Sequence, residues 1–175
     1  LNMTKMQQVQ LEKITLNVGV GQSGEPLQRA KELLEKLSNS KPVLTAAKDR
    51  NPTFKIRKGD LIGAKVTIRK AAAQDVLGRC IKACENSLLL KNFDKNGNVS
   101  FGVKEYIDVP GMKYDPKLGM MGFDVAVTLS KPGMRVQRRK IAKTKVPQKQ
   151  KVTREEAIAY IKDTFKANIK EKEDE

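Results

Sequence analysis

Apolar and polar residues alternate strictly at 14–20: Ile14, Leu16, Val18 and Val20 on one parity, Thr15, Asn17 and Gly19 on the other. A period of two puts the two sets on opposite faces of a pleated strand, so 11–20 (LEKITLNVGV) predicts a half-buried strand. The period then becomes helical. Leu27, Ala30, Leu33, Leu34 and Leu37 form one stripe and predict a helix over about 25–39, with Ser23 as N-cap and Pro26 in its first turn. Residues 43–48 (VLTAAK) predict a second strand. Residues 49–63 (DRNPTFKIRKGDLIG) have no period and carry Pro52, Gly59 and Gly63, which marks a long loop or loose hairpin.

Alternation returns at 64–70 (AKVTIRK), with Val66 and Ile68 inward and Lys65, Thr67 and Arg69 outward. A helix is predicted over about 72–90, with Val76, Cys80, Ile81, Cys84 and Leu88 on one face. After the turn NFDKNGN, a strand at 99–107 buries Val99, Phe101 and Val103. The segment DVPGMKYDPKLGMMG is irregular, and 123–130 (FDVAVTLS) alternates again. Thr153 and Glu156 have capping-box spacing and open a last helix over about 154–169, striped by Ala157, Ile158, Ile161, Phe165 and Ile169. The end, KEKEDE, reads as a solvated tail.

The order β-α-β-β-α-β, then an extra strand and a helix, predicts an α+β fold. The expected architecture is a ferredoxin-like antiparallel split β-α-β-β-α-β sheet with both helices on one face. Residues 1–130 form the main domain; 131–175 add a basic extension, a C-terminal helix and an acidic tail packed on it. The face without helices carries Thr15, Asn17, Thr45, Lys65, Thr67, Arg69 and Lys104, most of them hydrogen-bond donors or cations.

Charge gives that face a partner. The chain has a formal net charge of +15, and two segments account for all of it. Residues 41–70 net +7, residues 131–151 net +9 with no acid, and everything else nets −1. Single-sign blocks on a near-neutral scaffold point to a polyanion, because each phosphate neutralised releases a condensed counterion. In the loop 50–63, Phe54 lies among Lys48, Arg50, Lys55, Arg57 and Lys58, which suits stacking on an unpaired base; the alternative is a Phe that plugs a small satellite core. In the second block, Arg135, Arg138, Arg139, Lys140, Lys143 and Lys145 belong to an aperiodic stretch of a kind that commonly orders on RNA.

Enzymatic readings lose ground on residue types. With no histidine, the Ser-His and Cys-His arrangements and the usual metal sites are absent. Cys80 and Cys84 read as small buried hydrophobes, in a reducing compartment. Gly19, Gly21 and Gly24 match G-x-G-x-x-G between a strand and a helix, but Glu25 and Pro26 stand at the helix start and no doubly wound continuation follows. The glycines are better read as bends that let backbone come close to a partner. No cofactor is expected. A nucleotide-dependent enzyme and a nonspecific DNA-binding module are the competing classes. No apolar run approaches the ~20 residues of a membrane span, and LNMTKMQQVQ lacks the apolar stretch of a secretory signal. SFGVKEY at 100–106 has the aromatic character of RNA-recognition sheets, with Phe101 on the core side and Tyr106 half-exposed.

Several long motifs occur in one order. ITLNVGVGQSG at 14–24, KPVLTAAK at 41–48 and TFKIRKGDLIGAKVTIR at 53–69 resemble the universal 5S-rRNA-binding protein family of the large ribosomal subunit, numbered five in bacteria and archaea and eleven in eukaryotes. FGVKEYIDVPGMKYDP at 101–116, GMMGFDVAVTL at 119–129 and PGMRVQRRK resemble its archaeal and eukaryotic branch. The resemblance runs from about residue 9 to about residue 168. It implies a non-enzymatic, cytoplasmic ribosomal protein, a monomer within the ribosome, that binds 5S rRNA and helps attach it in the central protuberance. It also implies a loop toward peptidyl-site tRNA and a surface near a small-subunit head protein. Carried over by position, Asn17, Phe54 and Thr67 match residues near 5S rRNA, and 50–63 matches the tRNA-facing loop, with Arg50, Lys55, Arg57 and Lys58 as its cations. With the free face and the first basic block, the candidate 5S contacts are Thr15, Asn17, Gly19, Gly21, Lys41, Thr45, Phe54, Lys65, Thr67 and Arg69. Ser40 stands where bacterial members commonly have Gln. The stretch 131–151 belongs to the branch-specific extension and is assigned to large-subunit rRNA or neighbouring proteins.

Overall fold

A computed structural model describes residues 6–171. The alternating segments become strands: β1 (Gln10–Gly19), β2 (Val43–Ala46), β3 (Leu61–Ile68), β5 (Val99–Val103) and β6 (Phe123–Ser130). They form one sheet in the order β2-β3-β1-β6-β5, with every neighbouring pair antiparallel. The expected α+β architecture is present, with one refinement. The slot beside β1 opposite β3 is filled by β6, and β5 forms the outer edge. The long connection 104–122 returns the chain so that β6 enters between β5 and β1, antiparallel to both.

The helices cover one face. α1 (Glu25–Ser38) lies over β3, and α2 (Lys70–Ala83) lies over β1. Ala30, Leu33, Leu34 and Leu37 of α1 are buried in one cluster with Ile14, Leu16, Val66 and Ile68 of the strands. Burying one leucine fully is worth about 2 kcal/mol. That outweighs the missing cap of α1: its N-cap is Gly24 rather than Ser23, and no side chain bonds to the first turn. Cys80 is wholly buried in the same core, and burial pushes its thiol up to about 12; burial also raises the half-buried Cys84 thiol.

The second helix ends earlier than its apolar stripe. Glu85 and Asn86 both take the left-handed conformation, and the chain turns into β4 (Ser87–Leu89). β4 pairs in parallel with β7 (Asn168–Lys170), a two-stranded sheet that helical periodicity does not announce. The last helix, α4 (Arg154–Phe165), is correspondingly shorter than expected, and Ile169 belongs to β7. Its capping box is complete: the Thr153 hydroxyl accepts from Glu156 N–H, and the Glu156 carboxylate accepts from Thr153 N–H. Tyr106 is fully buried rather than half-exposed, because β5 stops at Val103 and a 3₁₀ turn drives the ring inward. Its hydroxyl accepts from Asp115 N–H at 3.0 Å, and Lys36 of α1 holds the Asp115 carboxylate at 2.6 Å. Of KEKEDE, residues 172–175 lie outside the described residues, as do 1–5 of the N-terminal stretch.

Candidate nucleic-acid interface

The registers of β1, β3, β5 and β6 set the residues of the helix-free face in rows. Thr67, Thr15, Ala126 and Ser100 make one row across the four strands. Lys65, Asn17, Asp124 and Gly102 make the next, with Val43 of β2 beyond Lys65. Gly63 and Gly19 continue the third, flanked by Thr45. Lys13, opposite Thr128, shares this parity and joins the cations of the face with Arg69. It is missing from the predicted set although it stands two residues before Thr15 on the same parity, which was the available signal.

The face is shallow because its middle is small. Gly19, Gly102 and Gly122 floor a hollow of about 400 Å³ with Asn17, Lys104 and Asp124 at its rim. Gly63 cannot be enlarged: a Cβ there would lie 2.8 Å from Val18 O and 2.9 Å from Thr45 Oγ1. Cations thus flank a trough of hydroxyls, an amide and bare backbone, which suits a folded polyanion approaching broadside.

Of the predicted loop 50–63, residues 61–63 already belong to β3, and 50–60 form a folded excursion at one end of this face. Ala47 N–H donates to Asp60 O and Gly59 N–H to Ala47 O, closing its base. Asn51 and Ile56 pair across it in an isolated bridge, and Asp60 accepts from Arg57 N–H at 2.7 Å. Phe54 is 71% exposed at the tip, which excludes the core-plug alternative. It overhangs a hollow of about 670 Å³ shared with Gly21, Gln22 and Ser23 of the first turn. Arg50, Lys55, Arg57 and Lys58 are all exposed on this excursion. Lys41 is exposed on the connection before the edge strand β2, apart from the rows. The G-x-G-x-x-G turn bends at Gly21 and Gly24, both with positive φ. The sheet beside it is antiparallel, whereas the dinucleotide fold requires parallel strands.

At the other end, 131–151 forms an arch with closed feet. Lys131 is 7% exposed; its ammonium donates to Glu156 at 2.7 Å and to Lys151 O at 3.4 Å. Gln150 donates to Pro132 O at 3.1 Å and to Met6 O at 3.0 Å. Midway, in the single turn α3 (Arg135–Arg138), Arg138 makes a two-pronged ion pair with Glu12 of β1. That guanidinium holds the Glu12 carboxyl below the usual range. Burial works against the Glu156 charge, but Lys131 and Thr153 outweigh it and hold that carboxyl low as well. Arg138 is therefore committed to a brace, whereas Arg135, Arg139, Lys140, Lys143 and Lys145 are exposed. The arch is more internally bonded than an aperiodic basic stretch implies.

Among the described residues no cluster of His, Cys, Asp and Glu could hold a metal ion, and no helix is long and apolar enough to cross a membrane.

Comparison with known proteins places the sequence beside one family. The family model described as Ribosomal protein L5 matches residues 4–57, and the model of the same ribosomal family's C-terminus matches residues 61–160. The Large ribosomal subunit protein uL5 of Methanosphaera stadtmanae is 46% identical over 95% of this chain and 99% of its own length. Its counterpart from Sulfolobus acidocaldarius is 44% identical over 95% of this chain and 93% of its own length. The protein of that name from Methanoculleus marisnigri is 42% identical over 95% of this chain and all of its own length.

Proposed function

The chain belongs to the ribosomal protein L5 family, and from that premise we propose that it is an architectural component of the large ribosomal subunit that grips 5S rRNA with its helix-free sheet face and helps hold it in the central protuberance. The observation that carries the reading is the face itself: Thr15, Asn17, Lys65, Thr67 and Arg69 lie side by side, uncovered by any helix, on an otherwise packed domain. Hydroxyls and an amide at fixed strand spacing read shape and 2′-hydroxyls; flanking cations supply the salt-dependent part. On this reading 1–130 is the RNA-binding domain and 131–175 is an extension packed on it, whose arch meets large-subunit rRNA. Backbone at Gly19 and Gly21 comes close to the RNA; nothing in the chain lies within 4 Å of where a Cβ would sit at either.

The test is competition for the purified protein among 5S rRNA, tRNA and duplex DNA at about 50 and about 200 mM salt. The reading expects a 5S preference that survives the higher salt. Equal collapse for all three would mean that charge acts alone and would overturn it.

The excursion, residues 50–60 of the predicted loop, is assigned to peptidyl-site tRNA through the exposed cations Arg50, Lys55, Arg57 and Lys58, while exposed Phe54 is kept as a 5S rRNA contact that can stack on an unpaired base. Shortening this excursion should leave the fold intact and loosen peptidyl-site tRNA on assembled ribosomes. Unaltered tRNA affinity would sink that assignment. A surface near a small-subunit head protein completes the proposal; crosslinks confined to large-subunit components in joined ribosomes would count against it.

A further inference from the structure

We propose that the apex of the basic arch is an RNA wedge, in which Ile141 enters the minor groove of a folded-RNA helix while Lys140 and Lys143 hold the phosphates on either side. The inference rests on the large-subunit reading above and gives the arch a specific mode of contact.

The first support is shape. Ala142 takes the left-handed conformation, φ 51°, and reverses the chain at the apex. Arg139 Nε donates to Ala142 O at 2.7 Å, and Thr144 N–H donates to Val136 O at 3.4 Å. These bonds fix the turn, while Lys131 and Gln150 fix the feet. A turn held at both levels presents its apex with little ordering entropy lost on contact.

The second support is chemistry. Ile141 is 82% exposed, the most exposed large hydrophobic side chain among the described residues. It stands where charge would serve better if the arch only had to touch phosphates. The stretch around it carries nine Lys/Arg and no acid, so its complement is a polyanion. A cationic loop with an aliphatic apex needs a surface with phosphates outside and apolar edges within. The A-form minor groove is such a surface: wide, shallow and walled by riboses, whereas the major groove is too narrow and deep for a side chain to read. In DNA, aliphatic wedges accompanied by cations enter the minor groove in the same manner.

The test uses directed hydroxyl-radical cleavage in reconstituted large subunits. An Ile141→Cys chain carries a tethered iron chelate, with Cys84→Ala removing the half-buried thiol; Cys80 is buried and needs no change. A Lys65→Cys chain reports on the sheet face. Cleavage from position 141 on both strands of one helix, offset across its minor groove, is the expected result. Alongside it, Ile141→Asp should weaken incorporation roughly tenfold, the equivalent of burying one aliphatic side chain, while Ile141→Met should not. Cleavage from position 65 but none from 141 would overturn the wedge and leave the large-subunit reading standing. Silence from both positions would overturn both. Cleavage from 141 along one strand without the cross-groove offset would put the apex on the backbone and also overturn the wedge.

Discussion

The sheet face and the basic arch are both cationic, but different bonds hold them in place. On the face, Lys65, Thr67 and Asn17 are positioned by backbone pairing of β1 with β3 and β6. In the arch, position depends on side-chain ion pairs, Lys131 with Glu156 and Arg138 with Glu12. Backbone ladders are indifferent to salt and to mild acid, whereas ion pairs with one partner in solvent, as both of these have, respond to each in part. The face also mixes cations with hydroxyls and an amide, while the arch offers cations around one aliphatic apex. On the proposed function, the face is therefore the part that discriminates and the arch is the part that anchors.

The largest effect should come from Gly97, which joins the two regions. Its φ is +72°, and a Cβ would lie 2.6 Å from Val152 Cγ1 at the foot of the arch. Gly97→Val should cost about 3 kcal/mol or more through strain and overpacking, read as a lowered Tm. An unchanged Tm would mean that the arch foot is not packed on the 94–98 turn.

Lys131→Met comes next. It leaves Glu156 without its ammonium partner and should cost about 1–2 kcal/mol, discounted because Glu156 is itself partly exposed. Proteolytic nicking within 132–150 should accelerate while 5S affinity holds. A fall in 5S affinity in step with the faster nicking would mean that the two regions are not separable.

Acid should produce the smallest change. The Glu12 and Glu156 carboxyls titrate below the usual carboxylate range in the folded chain, so each contributes stability that is complete at neutral pH. That contribution is lost as pH falls through their lowered values. Hydrogen-exchange protection in the arch, measured relative to the slower intrinsic exchange at low pH, should therefore fall on acidification before protection in β1 and β3 does. Simultaneous loss would erase the proposed difference.

How much was legible follows the same division. Strict alternation in 14–20, 64–70 and 123–130 exposed the sheet and its free face, because a period of two has one structural meaning when one side is buried. The capping box at Thr153 was equally plain. The β4–β7 pair was not, since three-residue strands carry too few positions for a period, and Leu88 and Ile169 fit the flanking helical stripes. Tyr106 was misjudged because a 3₁₀ turn breaks the strand parity before it. The braces of the arch were hidden for another reason. Lys131–Glu156 and Glu12–Arg138 join residues 25 and 126 positions apart, and no local pattern records which charge meets which. The family resemblance carried the partner, and the residue pattern alone carried the face.

The measurement closest to the central claim is 5S rRNA affinity as a function of salt for three chains: the unaltered protein, an Asn17→Ala, Thr67→Ala variant and a Lys65→Ala, Arg69→Ala variant. If the sheet face reads RNA shape, the first variant should lose roughly tenfold or more in affinity with the salt slope unchanged, since uncharged groups release no counterions. The second should lose affinity and flatten the slope by about two units at most. Unchanged affinity and slope in both variants would remove the sheet face from the 5S site and contradict the account.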